Sequence, residues 1–146
     1  MRGWRKALAD HNISEENIAC CETLQYLESG YKTVKEHRDQ IVKYDALVCG
    51  CDTMAVGAMS ALLDDGVRIP EDIRIIGYDG IDFCNYAAVP MSTVEQPLYE
   101  IGVEGVNAML HRLHHPEEPA ATKVLKCVLN ARRSTVRSLT ERVQGA

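Results

Sequence analysis

Residues 46–80, ALVCGCDTMAVGAMSALLDDGVRIPEDIRIIGYDG, constrain this chain more than any other stretch. Ala46 to Gly50 is a short apolar run bounded by polar residues, too short for a helix, and it reads as a buried strand. Asp52 then stands where an N-cap belongs. Its carboxylate can accept from the free N–H groups of a first turn and suits the positive end of a helix dipole. Met54, Ala55, Ala58, Met59, Leu62 and Leu63 recur at helical spacing, and Gly66 supplies a stop. Pro70 punctuates the connection, Ile73, Ile75 and Ile76 predict a second buried strand, and Tyr78-Asp79-Gly80 closes it. A strand–helix–strand unit of this length implies parallel strands and a right-handed crossover. In such sheets ligands lie beyond the carboxyl ends of the strands, where this unit places Cys51-Asp52 and Asp79.

The flanks fit around that unit. Trp4 to Asp10 reads as an amphipathic helix, with Trp4, Ala7 and Leu8 on one side. Ile18 to Cys21 reads as a short strand ending at Glu22-Thr23, and Tyr26 to Tyr44 as a helix with Val34, Ile41 and Val42 in a charged background. Glu28 with Lys32, and Lys35 with Asp39, are spaced to pair along that helix at a few tenths of a kcal/mol each. Phe83, Tyr86, Ala87, Ala88 and Val89 form an apolar cluster of weak periodicity. It fits a contact surface or a fold-down onto the core. Met91 to Glu95 predicts a strand, Pro97 suits the first turn of a helix over Leu98–His114, and Val124 to Leu129 predicts a last strand. From Val136 onward no period is visible, and the end reads as a loose tail.

Composition narrows the function classes. Of 146 residues, 46% are hydrophobic and 25% charged, enough for one ordinary core in a soluble globular protein. No apolar run approaches the roughly 20 residues that span a bilayer, so no membrane partner is expected, and MRGWRKALADHN lacks a secretory core. Net charge is −5, which gives no footprint for DNA. Cys20 and Cys21 are adjacent and Cys49 and Cys51 alternate across a strand end, so reduced thiols in the cytosol fit better than a disulfide scaffold. Cys51 opens a helix, where a thiol's pKa falls, but no histidine near it in sequence offers a base, so no catalytic set is assembled. His111, His114 and His115 with Glu117 and Glu118 suggest a metal, yet His-Glu-x-x-His is absent and imidazolium at a helix end suits the dipole. No metal, cofactor or catalysis is expected. Asp79 accepts two hydrogen bonds, which suits vicinal hydroxyls or an amine, and it equally suits a turn beside Gly80.

CDTMAVGAMSALLDDGVRIPEDIRIIGYDG resembles the effector domain of LacI/GalR-type transcriptional regulators, and further marks follow in order. They are Pro90 with Ser92-Thr93-Val94, Gln96-Pro97, Glu100-x-Gly102 and Arg132-Arg133-Ser134-Thr135. The resemblance implies a three-layer α/β fold with a mainly parallel sheet, part of a periplasmic-binding-protein-like class I architecture. It implies a main lobe from 1–94 and 120–135, a partner-lobe helix at 97–115 across a hinge near 94–97, and a tail at 136–146. It also implies effector contacts at Asp79 and Gln96. Cys51 stands where the family commonly has an effector-binding Asn, and Gln25 where it often has an aromatic platform. Both departures put an ordinary sugar in question. The implied dimer interface is Met54, Ala55, Ala58, Met59 and Leu62 with Phe83, Tyr86 and Val89. The partners implied are a sugar-like small molecule, a second copy, and DNA through an N-terminal helix-turn-helix that this sequence does not contain. An effector-contacting Arg and the first strand of the sheet would precede Met1, which predicts a gap between the strands at 17–22 and 46–50 and a marginal, aggregation-prone fragment. The expected function is effector sensing and dimerisation in a cytoplasmic regulator. The rival is a periplasmic sugar-binding transport protein, against which the cysteines and the Arg-x-Ser-Thr ending speak.

Overall fold

The structure is a computed structural model and describes residues 2–14, 24–119 and 121–136. Among the described residues nine elements follow one another. They are α1 (Arg2–Asp10), α2 (Leu27–Ile41), β1 (Ala46–Val48), α3 (Asp52–Asp64), β2 (Arg74–Asp79), a 3-10 turn (Asp82–Asn85), β3 (Ser92–Glu95), α4 (Leu98–His114) and β4 (Val128–Asn130). The sheet order is β1-β2-β3-β4. β1, β2 and β3 are parallel, while β4 runs antiparallel to β3. The expected strand–helix–strand unit at 46–80 is present, and so is the mainly parallel sheet. The strand expected at Ile18–Cys21 and the tail beyond Val136 lie outside the described residues.

α3 is the centre of the core. Ala55, Ala58, Met59, Ala61 and Leu62 are buried together with Ile73 and Ile75 of the β2 segment and with Val34 of α2. A helix apolar on nearly every side is covered on every side, here by β2 and by α2. The two helices cross at glycines. A Cβ on Gly30 would overlap the Met54 carbonyl, and one on Gly57 the Leu27 carbonyl. At the rim Lys35 pairs with Asp65 at 2.5 Å and Tyr31 donates to Asp64 at 2.8 Å, so α2 is tied to the end of α3. Lys35 therefore does not make the expected pair with Asp39, whereas Lys32 and Glu28 do pair, at 2.7 Å.

The Arg132-Arg133-Ser134-Thr135 segment closes the sheet's amino-terminal side. Ser134 is fully buried, its hydroxyl donates to the Ile75 carbonyl at 2.6 Å and accepts from the Ser92 N–H at 2.8 Å. Ser92 and Thr135 share a 2.6 Å hydroxyl contact. The sequence motif is thus a clasp across β2 and β3.

Four expectations need correction. Cys51, not Asp52, is the N-cap residue of α3, and it makes no side-chain cap bond. β1 is not buried: Val48 is 64% exposed, because β1 pairs only with β2 among the described residues and forms an edge. β4 starts at Val128 rather than Val124, because its partner Glu95 is the last ladder residue before Gln96 and Pro97, and proline offers no N–H for pairing. Met54, Ala55, Ala58, Met59 and Leu62 were expected at an interface; Ala55, Ala58, Met59 and Leu62 are at most 2% exposed and belong to the chain's own core, with Met54 packed against it.

Candidate functional site

The carboxyl end of β2 carries a side chain held in an unusual backbone. Asp79 has φ +126°, a left-handed value that non-glycine residues rarely adopt. Gly80 follows at φ +85°, where a Cβ would press on Glu95. Such strain persists only where surrounding bonds hold it, and here a buried carboxylate does. Asp52 is fully buried at the first turn of α3. One of its oxygens accepts from the Gly80 N–H at 2.7 Å and the Ile81 N–H at 2.9 Å. The other accepts from the Thr93 hydroxyl of β3 at 2.6 Å. The Thr93 oxygen also accepts from the Gly80 N–H at 3.2 Å. Gly77 leaves the room: a Cβ there would collide with the Asp52 carboxylate.

Held in this way, Asp79 meets Gln96. The Gln96 side-chain amide donates to one Asp79 carboxylate oxygen at 2.8 Å, and the Gln96 backbone N–H donates to the Asp79 carbonyl at 3.1 Å. Both residues are partly exposed. Among the described residues the second Asp79 oxygen has no partner, so the pair presents an acceptor and an amide together at the strand ends. Such a pair can take up a hydroxyl or amine of a small polar molecule by one oxygen and one amide.

The other candidates lie around this end. Gln25 is exposed, and its amide nitrogen approaches Gly50, next to Cys51. Cys51 is buried, with its sulfur 3.3 Å from the Thr53 hydroxyl. Burial pushes the neighbouring Cys49 thiol up to about 12, which removes it from nucleophilic chemistry at neutral pH. Of the second half of the expected interface, Phe83 and Tyr86 are exposed at 52% and 81%, whereas Val89 is buried. Asp52 as a clasp and Thr93 as its partner were not anticipated. The adjacent hydroxyl residues Ser92 and Thr93, opening a short strand three residues before Gln96-Pro97, were the available signal. A cavity of about 260 Å³ lies at the other end of β2, lined by Arg38, Asp65, Asp72 and Ile73 among others, and shares nothing with Asp79.

Residues 1–135 match the family of periplasmic binding protein-like domains. The ribose operon repressor of Haemophilus influenzae is 35% identical over 131 residues, covering 88% of this chain and 40% of that protein. A LacI family transcriptional regulator from Enterococcus faecium, solved with bound ribose, superposes with a TM-score of 0.81 at 31% identity, covering 91% of this chain and 49% of that one. The lac repressor dimer bound to operator and an anti-inducer superposes with a TM-score of 0.82 at 26% identity, covering 93% of this chain and 46% of that one. The chain therefore spans less than half the length of each of these proteins.

Proposed function

Since this chain belongs to the LacI/GalR-type regulators, within their periplasmic-binding-protein-like effector domain, we propose that it senses a small, hydroxyl-rich molecule and passes that state to a separate DNA-binding domain. The observation that carries this reading is the Asp79–Gln96 pair, presented at the carboxyl end of β2 and held by the buried Asp52 clasp. Gln96 follows β3 directly and leads through Pro97 into α4. A ligand that engages the pair therefore acts on the link between the sheet and α4. The regulatory consequence is a population shift, since a ligand biases two arrangements only by binding one of them better. Gln25 and Cys51 complete the ligand wall. Phe83 and Tyr86, the exposed part of the expected interface, are the residues we assign to contact with a second copy. The setting is the cytoplasm, where the cysteines stay reduced.

The test is a thermal-shift screen of the regulator that contains these residues, against pentoses, disaccharides, nucleosides and purines. A ligand at a hundredfold excess over its Kd stabilises by about 2.7 kcal/mol. We expect one class to raise Tm by several degrees, and Asp79→Ala to abolish that shift while leaving the unliganded Tm unchanged. An undiminished shift in Asp79→Ala reduces Asp79 to a turn residue.

A further inference from the structure

The end of α4 gathers metal-binding side chains well outside the site just described. His111 and His115 stand one turn apart on a common helix face, with ring centroids 4.7 Å apart. The helix closes with the His115 N–H donating to the His111 carbonyl at 2.9 Å. A tight turn follows, in which the Glu118 N–H donates to the His115 carbonyl at 3.2 Å and the Arg112 guanidinium holds the Glu118 carbonyl. That turn folds Glu118 back onto the imidazoles. One carboxylate oxygen lies 3.6 Å from His111 Nε2 and the other 3.7 Å from His115 Nδ1. Glu117 joins them: ligand atoms of His115, Glu117 and Glu118 all lie within 4.8 Å of one another.

The separations decide between two readings. A direct N–H···O hydrogen bond to a carboxylate closes to about 2.7–3.2 Å, and neither imidazole does so. Two ligands at a tetrahedral angle on an ion with bonds of about 2.0–2.2 Å stand about 3.3–3.6 Å apart. The 3.6 and 3.7 Å spacings, one to each Glu118 oxygen, lie at or just beyond that edge length, and the Glu117 carboxylate stands within 4.8 Å. Two carboxylates also balance a divalent charge, and imidazole binds as a neutral ligand. A mixed nitrogen and oxygen set favours zinc and its neighbours over magnesium or calcium, which prefer oxygen alone. The sequence offered these residues but no His-Glu-x-x-His motif, because Glu118 is brought to the imidazoles by the turn and not by helical spacing. We propose that His115, Glu117 and Glu118, with His111 beside Glu118, form a zinc-type divalent metal site that clips the end of α4 to the connector at 116–119.

The experiment is a Zn2+ titration of the full chain against a colorimetric chelator, repeated on His115→Ala and on Glu118→Gln. All four side chains are solvent-exposed, so the variants keep the far-ultraviolet circular dichroism of the parent. We expect the parent to hold one equivalent of Zn2+ that both variants lose or bind at least about tenfold more weakly, the smaller effect typical even of outer-shell changes. Thiol-bound zinc would be retained equally in all three proteins. Equal stoichiometry and affinity across the three proteins overturns the proposal, as does an absence of binding by the parent. Loss in His115→Ala with full retention in Glu118→Gln also overturns it, leaving a dihistidine contact without the carboxylate.

Discussion

At Asp52 a single buried carboxylate joins three parts of the chain that are far apart in sequence: its partners Gly80 and Thr93 lie 28 and 41 positions away. Removing it takes the acceptor from the buried Thr93 hydroxyl and from the part-buried Ile81 N–H, and leaves the Gly80 N–H only its longer bond to Thr93. Each lost bond costs about 1–3 kcal/mol, against a total stability of about 5–15 kcal/mol, so Asp52→Ala should lower the urea unfolding midpoint by several kcal/mol equivalent. Thr93→Val removes one hydroxyl and keeps the shape, so we expect a loss of about 1–3 kcal/mol in urea unfolding, largely restored by Thr93→Ser. The thiols make a second case at this scale. Burial pushes Cys49 up to about 12, and burial with the nearby Asp52 does the same for Cys84. At pH 8 iodoacetamide should label the exposed Cys127 in the folded chain and leave Cys49 and Cys84 unlabelled, as read by peptide mass spectrometry. Between about pH 9 and 12 the unfolded thiols, with pKa near 8.5, lose protons that the folded ones keep. Stability should fall as pH rises through that window. The sequence singled out Asp79 by its place at a strand end and Gln96 through the family resemblance, but it assigned Asp52 to the wrong bond. An Asp at the start of a helix offers a local explanation at once, whereas its real partners lie in the turn after β2 and in β3.

At the scale of elements, the crossing of α2 and α3 decides whether the core forms. Gly30 and Gly57 sit where each helix touches the backbone of the other. Gly57→Ala forces two backbones apart along a packed seam, and we expect the cooperative unfolding transition to disappear or its midpoint to drop by several kcal/mol equivalent, beyond the ~1–3 kcal/mol of ordinary overpacking. Gly102 and Gly105, inside α4, meet nothing within 4 Å. Alanine at either should stabilise by about 0.4–1 kcal/mol through the unfolded chain and helix propensity, so the same chemical change has opposite signs on two helices. The apolar pattern alone located α3, β2 and β3, because their periodicity follows from burial. It did not reveal which neighbour buries α3. Met54, Ala55, Ala58, Met59 and Leu62 were expected to face a second copy, while in the structure Ala55, Ala58, Met59 and Leu62 are buried in the chain's own core with Met54 packed against it. Edges misled it in the same way: β1 is as apolar as an inner strand, yet Val48 is wet.

On the scale of the whole molecule, the chain is asymmetric. The unit from α2 to β3, with the 132–135 clasp, holds the core, and α4 stands apart from it with no buried residue. Ile101, Val103, Val106, Met109, Leu110 and Leu113 of α4 are each more than 40% exposed. A lone exposed Leu is unremarkable, but six on one 17-residue helix exceed the scattered apolar exposure normal in a soluble monomer. The exposed face of α4 is thus a concrete source of self-association for this chain. At each apolar position on α4, association hides water-exposed carbon worth about 25 cal/mol per Å², without any cost in core packing. We expect the 146-residue chain to bind anilinonaphthalene sulfonate while retaining a cooperative unfolding transition, and to associate with rising concentration in sedimentation velocity. Replacing Val106 and Met109 by Lys should lower both signals and leave the unfolding midpoint within about 0.5 kcal/mol equivalent, as surface changes do. If the doubly charged chain binds the dye and associates as strongly as the parent, the sticky surface is β1 or the 83–86 segment rather than α4. If instead the midpoint collapses, α4 is packed against the core in solution, contrary to its exposure here.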